Sequence, residues 1–113
     1  MTPIELAKEY LQSYFGEKPV EDMLTVLAKD LKFTGPYYRY DSAEEYVDRL
    51  KERMPVDKSY DILKQLERGN TCCLVYRHIR EGEEDIMAQL FEINEDKITR
   101  IRLVFDASKL LEG

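Results

Sequence analysis

Histidine occurs once in this sequence, at His78, and cysteine twice, at the adjacent positions Cys72 and Cys73. A single histidine excludes a metal centre of the common histidine-rich kind, and no metal is expected. Neighbouring residues in a strand point to opposite faces, so a bond between the two cysteines would be strained. They read as reduced packing residues of a cytoplasmic protein. Positive charge is also in short supply: 17 basic side chains against 23 acidic ones leave a net charge of −6. That balance argues against a nucleic-acid partner and against an anionic membrane surface, both of which need a basic face. No apolar run approaches the roughly 20 residues that span a bilayer. The opening stretch "MTPIELAKEY" carries Glu5 and Glu9 and lacks the basic start and apolar core of a signal peptide. There is no glycine-rich phosphate loop, no Gly-x-Ser-x-Gly elbow, and no Cys–His nucleophile pattern. Nothing calls for a cofactor. No two carboxylates stand at a spacing that supports a catalytic pair.

What is present is a chain of 113 residues, 43% hydrophobic and 35% charged, suited to a single globular domain over residues 1–113. Thr2-Pro3-Ile4-Glu5 has the capping-box spacing, with proline where its missing N–H is harmless. Ile4, Ala7, Tyr10, Leu11 and Tyr14 then fall on one helical stripe, which should end near Gly16. Pro19 can open a second, short helix with Val20, Met23, Leu24 and Leu27 on its buried side. A short strand follows over Leu31–Thr34, stopped by Gly35-Pro36, because the residue before a proline is pushed away from the helical region. Ser42-Ala43-Glu44-Glu45 repeats the capping box and starts a helix with the stripe Ala43, Tyr46, Val47, Leu50 and Met54, halted by Pro55. The period then changes to alternation, which predicts strands at about Tyr60–Glu67, Thr71–Arg80, Asp85–Ile93 and Lys97–Asp106. Helices first and a strand meander afterwards predict an α+β, conical fold with N-terminal helices packed on a strongly curved antiparallel sheet.

Alternation also assigns faces. A two-residue loop at Gly82-Glu83 would set Tyr76 opposite Gln89 and put Leu74, Tyr76 and His78 on one face with Met87, Gln89, Phe91 and Ile93. A three-residue loop at Asn94-Glu95-Asp96 would add Ile101, Leu103 and Phe105 to that face. A two-residue loop there would instead turn Arg100 and Arg102 inward, and burying two unpaired arginines costs several kcal/mol. The three-residue loop is therefore the expectation. The opposite face would carry Arg77, Leu90, Glu92, Arg100, Arg102 and Val104, a mixture suited to solvent or to a polar-rimmed homodimer interface.

The stretches "KEYLQSYF", "VLAKDLKFTGP", "DSAEEYVDRL" and "FEINEDKITRIRLVFD", in that order, resemble the nuclear transport factor 2-like superfamily, which includes ketosteroid isomerases and SnoaL-like polyketide cyclases. The likeness runs over nearly the whole chain. It implies a cone whose wide end opens between sheet and helices. In ketosteroid isomerases a carboxylate before the proline closing the first strand moves the proton, while a first-helix tyrosine and a late-strand acid stabilise the oxyanion. By that resemblance the tyrosine falls on Tyr10, the late-strand acid on Gln89, and the base on Gly35, which has no side chain. A positioned base contributes about 10²- to 10⁴-fold to such proton transfers, so the steroid-isomerase route is not expected.

The expected function is accordingly an apolar cup for a hydrophobic ligand bearing a carbonyl or hydroxyl. It would be lined by Tyr10, Tyr14, Phe33, Tyr76, Gln89, Phe91, Leu103 and Phe105. Tyr10, His78 and Gln89 are the candidates for any catalytic role. Were it an enzyme, the resemblance would make it a SnoaL-like cyclase, isomerase or hydrolase without metal. Blander roles stand beside these: Tyr10 and Tyr14 as core aromatics, His78 as a hydrogen-bonded rim residue, and Gln89 with Tyr76 as a structural pair. The alternative for the whole chain is a non-catalytic dimerisation or protein-interaction module whose cup is filled by its own side chains.

Overall fold

The computed structural model describes residues 1–53 and 57–105. Helix α1 spans Pro3–Tyr14, and its start is the expected reciprocal cap. The Thr2 hydroxyl accepts from the Glu5 amide at 3.2 Å, and the Glu5 carboxylate accepts from the Thr2 amide at 2.9 Å. Such a cap satisfies two orphan amides and is worth about 1 kcal/mol. Leu6, Ala7, Tyr10 and Leu11 are fully buried, with Ile4 and Tyr14 packed at the edges. Gly16 ends the helical stretch in the left-handed region at φ +82°.

The second helical segment differs from expectation. It is a 3-10 helix over Val20–Thr25 with Pro19 before it. With three residues per turn the inward stripe runs Val20, Met23, Val26, and Leu24 is turned out, 44% exposed. Leu27 belongs to the first strand, β1, which starts four residues earlier than its apolar run and covers Leu27–Thr34. A two-residue strand, β2 (Arg39–Tyr40), folds back on it with Phe33 opposite Tyr40. The Gly35 amide closes this turn on the Tyr38 carbonyl at 2.8 Å. Helix α2 covers Ala43–Arg53, and the Ser42 hydroxyl accepts from the Glu45 amide at 3.1 Å. Ala43, Tyr46, Val47 and Leu50 are buried. Met54, Pro55 and Asp106 lie outside the described residues.

Four long strands follow: β3 (Lys58–Arg68), β4 (Thr71–Arg80), β5 (Glu83–Asn94) and β6 (Lys97–Phe105). The curved, unclosed sheet has the order β2-β1-β6-β5-β4-β3. Every pairing is antiparallel except β1–β6, which is parallel and makes the sheet mixed. A bulge in β3 between Ile62 and Lys64 leaves Leu63 without an opposing partner.

Both hairpin registers depart from expectation while the faces survive. The β4–β5 loop is Glu81-Gly82, so Tyr76 lies opposite Met87 and Leu74 opposite Gln89. This is a slip of two residues, and because side chains alternate with period two, each keeps its face. The β5–β6 loop has two residues, Glu95-Asp96, not three. Alone it would have turned Arg100 and Arg102 inward. A bulge at Thr99 inserts the missing residue: Ile93 pairs with Ile98, but Glu92 pairs with Arg100 and Phe91 with Ile101. Arg100 and Arg102 are exposed, and Ile98 and Ile101 are fully buried. The penalty for burying the arginines thus decides the outcome, through a bulge instead of a longer loop.

The helices cover the inner face of the sheet. Leu74, Tyr76, Phe91, Ile93, Ile98 and Ile101 meet Leu6, Tyr10, Leu11, Met23, Tyr46 and Val47 in one hydrophobic core. Each large aliphatic side chain in it contributes about 1.5–3 kcal/mol by leaving water. Cys72 is buried and Cys73 half-buried, and both are free thiols. Burial pushes the Cys72 thiol up to about 12, assisted by Glu67 and Cys73. The outer face carries the ion pairs Arg77–Asp61, Arg77–Glu84 and Arg100–Glu92, at 3.3, 3.4 and 3.3 Å. Among them stand exposed Leu66, Ile86, Leu90 and Val104.

Candidate functional site: the inner face of the cone

Alternation along β4, β5 and β6 sends Tyr76, Gln89 and Phe91 toward Tyr10 of α1 and Tyr46 of α2. All five side chains are at most 3% exposed. The Tyr10 and Tyr46 hydroxyls are 2.5 Å apart, and the Gln89 amide donates to the Tyr76 hydroxyl at 2.5 Å. Gln89 and Tyr76 meet as a cross-strand diagonal, since the residue directly opposite Gln89 is Leu74. Phe91 stands edge-on to Tyr10 with ring centres 5.6 Å apart, and Phe33 stacks on Tyr46 at 4.6 Å. One polar atom of the group lacks a partner: the carbonyl oxygen of the Gln89 side chain, buried beyond the reach of solvent. A buried acceptor in that condition destabilises the fold by about 1–3 kcal/mol.

The electrostatics here are those of neutral phenols. Burial pushes Tyr10 and Tyr46 well above the ordinary phenol range, and Tyr76 upward as well. The Gln89 amide favours ionisation of Tyr10 and Tyr76, yet burial outweighs it. These groups can donate hydrogen bonds to a carbonyl or phenolate at neutral pH. None of them is a base.

Toward the β4–β5 hairpin the side chains are only partly buried. Tyr14, Met87, Leu103 and Phe105 are half-buried, with Leu103 opposite Gln89 and Phe105 opposite Met87. The Tyr76 hydroxyl lies 3.8 Å from the Met87 thioether. His78 is 8% exposed, with its ring centre 5.4 Å from Phe15. Burial and the adjacent Lys58 hold it below its ordinary range, so it is neutral at pH 7. Lys58 places its ammonium 3.8 Å above the Tyr14 ring, and burial, reinforced by Arg80 and Arg53, brings it down to about 8. Arg53 lies 4.3 Å over the exposed ring of Tyr38.

Gly35 sits at this same end. A Cβ built on it would meet Phe33 at 3.4 Å and Leu103 at 3.7 Å, which is ordinary contact. Its φ is not in the left-handed region. A Cβ is therefore tolerated there, beside the inner-face residues Phe33 and Leu103. Two open depressions lie away from the cone, one of about 390 Å³ beside Ser42, Asp48 and Arg49, the other of about 330 Å³ beside Met1, Glu9 and Asp96. Among the described residues no cluster of histidine, cysteine, aspartate and glutamate could hold a metal ion, and no helix is long and apolar enough to cross a membrane.

The structure thus gathers Tyr10, Phe33, Tyr76, Gln89 and Phe91 into the buried cluster, buries His78 as well, and leaves Tyr14, Leu103 and Phe105 half-buried. Sequence reasoning missed Tyr46, Lys58 and Arg53. Tyr46 was visible as a member of the α2 stripe, but nothing local placed its hydroxyl against Tyr10, 36 residues away. Lys58 could have been found by extending the alternation of Tyr60 and Ile62 back by two.

Neither a family model nor a curated protein sequence matches the chain. Solved structures do. An NTF2-like protein of unknown function from Cytophaga hutchinsonii superimposes with a TM-score of 0.84 at 22% identity, covering 98% of this chain and 96% of that one. A protein assigned as a SnoaL-like polyketide cyclase from Shewanella putrefaciens gives 0.83 at 12% identity, covering 97% and 83%. An LEH-like epoxide hydrolase from M. tuberculosis gives 0.81 at 17% identity, covering 98% and 87%. At such identities the likeness speaks for the backbone and not for the chemistry. With two helices, a 3-10 segment and a curved six-stranded sheet among its described residues, the chain has the conical nuclear transport factor 2-like fold.

Proposed function

We propose that the protein binds a small hydrophobic molecule bearing a carbonyl or hydroxyl in the cup between α1, α2 and the inner sheet face. The observation that carries this reading is the unpartnered Gln89 side-chain oxygen, held among neutral phenol donors in an apolar surround. A ligand hydroxyl would satisfy that acceptor, and a ligand carbonyl would take a hydrogen bond from the Tyr10–Tyr46 pair. Entry is from the open end, by displacement of Met87, an unbranched and adaptable side chain. With Gly35 in the base position and the phenols held neutral, the site supports binding and polarisation better than carbon-acid proton transfer. The fold's occurrence in proteins assigned as a polyketide cyclase and an epoxide hydrolase supports a small-molecule role. The test is a thermal-shift screen with steroids, phenols and polyketide-like ketones, in which binders raise Tm by mass action. Gln89→Leu should abolish the shift relative to its own ligand-free Tm. A screen without shifts, or shifts that survive Gln89→Leu, would overturn the reading.

A second reading has its own support. Tyr10, Tyr46, Tyr76 and Phe91 pack the deep cup tightly, while Leu90 and Val104 are 40% and 63% exposed on the outer face. In this reading the chain is a homodimerisation module that buries Leu66, Ile86, Leu90 and Val104 against a second copy, with the arginine ion pairs as a polar rim. Light scattering on wild type and a Leu90→Glu/Val104→Glu variant tests it: a dimer that becomes a monomer supports it, and a wild-type monomer overturns it. The two readings are compatible, since they use opposite faces of one sheet.

A further inference from the structure

Although the chain carries six more acidic than basic residues, three cations gather at the mouth of the cone. Lys58 and Arg80 are opposite one another at the ends of β3 and β4, on the inner face they share with Tyr60 and His78. Arg53 joins them from the last turn of α2, close enough to act on both Lys58 and Tyr14. Elsewhere Arg77, Arg100, Arg49, Lys32 and Lys51 pair with carboxylates within 4.0 Å. Among the described residues none of the three mouth cations does so. Lys58 and Arg53 lie over the rings of Tyr14 and Tyr38 instead. Three described acids at this end have other placements. Glu17 accepts from the Tyr60 hydroxyl at 3.3 Å, Glu84 pairs with Arg77 on the outer face, and Asp85 faces His78 across the β4–β5 ladder. Glu83, opposite Arg80 beside the hairpin turn, is exposed.

Like charges gathered beside a half-buried aromatic wall repel one another and resist desolvation. The lowered pKa of Lys58 records both effects, burial first and Arg80 and Arg53 after it. Cation–π contact compensates in part, and Arg53 also suits the negative end of α2. A bound anion would compensate fully, and an adjoining apolar cup selects anions with a hydrophobic body. We propose that the mouth of the cone is a carboxylate-recognition site, in which Lys58, Arg80 and Arg53 hold the carboxylate of an amphipathic acid while its aromatic or aliphatic body enters the cup past Tyr14 and Met87. This inference rests on the cup-binding reading and specifies the ligand class as apolar carboxylic acids.

The experiment compares 1-naphthylacetate with its neutral isostere 1-naphthylacetamide by ¹⁵N NMR titration of the full chain at pH 7. The acid should bind at least ten-fold more tightly than the amide, with shifts centred on Tyr14, Lys58, Arg80 and Gln89, and should weaken as salt rises from 50 to 500 mM. Lys58→Gln combined with Arg80→Gln should bring the acid to the affinity of the amide, and Lys58→Arg should retain the preference. Circular dichroism verifies that the variants fold, and the salt series on wild type tests the same point without any substitution. Equal affinity for acid and amide in the cup would overturn the carboxylate inference and leave the cup reading standing. Absence of shifts with either compound, or shifts mapping to surface lysines such as Lys18 and Lys32, would overturn both.

Discussion

The deep end of the cone and its mouth solve opposite problems with similar residues. Both are rich in tyrosine. Below, Tyr10, Tyr46 and Tyr76 are buried to within 3% and bonded to one another or to Gln89. Above, Tyr14 and Tyr38 offer their faces to Lys58 and Arg53, at 3.8 and 4.3 Å. The phenol's polar tip organises the interior, while its π face organises the rim. Burial shifts groups at both ends, but in the direction set by charge type: the phenols below go up and the Lys58 ammonium above comes down. The same physical term therefore yields neutral donors in one place and a titratable lysine in the other.

The comparison is broken most forcefully by truncation. Phe91→Ala should destabilise the fold by about 3–5 kcal/mol, because a fully buried ring leaves a cavity. Phe105→Ala, at the half-buried mouth, should lose about 1–2 kcal/mol, since the site is already open to water. Urea denaturation of the two variants measures both, and equal losses would abolish the distinction between a solid and an open end. A smaller effect comes from pH. Between about 8 and 10.5 the unfolded chain keeps a proton on Lys58 that the folded chain has released, so stability contributed by this group rises with pH over that window. Above 10 the sign reverses, because unfolded tyrosines ionise while Tyr10, Tyr46 and Tyr76 stay protonated in the fold. On the acid side His78, held below 6.5, makes stability fall as pH drops under that value. Urea midpoints from pH 5 to 11 should show these slopes, and Lys58→Met should erase the rise above pH 8 while leaving the loss above 10.

The smallest effect sharpens the contrast at the turns. Glu81-Gly82 at the mouth and Glu95-Asp96 at the opposite end both have two positive φ values, 51° and 84°, and 51° and 61°. These suit the tight primed turns, for which Asn-Gly is favoured. Only the mouth turn has glycine. Replacing Glu95-Asp96 by Asn-Gly should stabilise the protein by about 1 kcal/mol, and Glu81→Asn by a few tenths, as read from Tm.

Much of this molecule was legible in the sequence because its signals are local. The capping boxes at Thr2 and Ser42 act within one helical turn, and the β4 boundaries follow from alternation alone. Faces were legible where registers were not, since a slip of two residues preserves them, as at Tyr76 and Gln89. What escaped depends on distant partners. The first half of β1 is a strand because its start lies along β6, with Leu27 beside Ile98, and no local pattern in Leu27–Asp30 announces that. The Thr99 bulge exists to keep two arginines wet, and Leu24 faces out because the segment tightened to three residues per turn. In the site, Tyr76 and Gln89 could be paired from the strand pattern. The Tyr10–Tyr46 contact required knowing how two helices cross, and the cationic rim required three elements to end together.

The bulge at Leu63 has a consequence for how the molecule behaves in a crowded solution. Strand β3 is one edge of an unclosed sheet and is eleven residues long, the form most apt to recruit a strand from another chain. The irregularity between Ile62 and Lys64 interrupts its repeat midway, and Lys58, Lys64, Glu67 and Arg68 place charge along it. At the other edge, β2 offers only two residues. Open sheets invite growth into fibrils, and this one is terminated at both margins, one kinked and charged, the other too short to serve as a template.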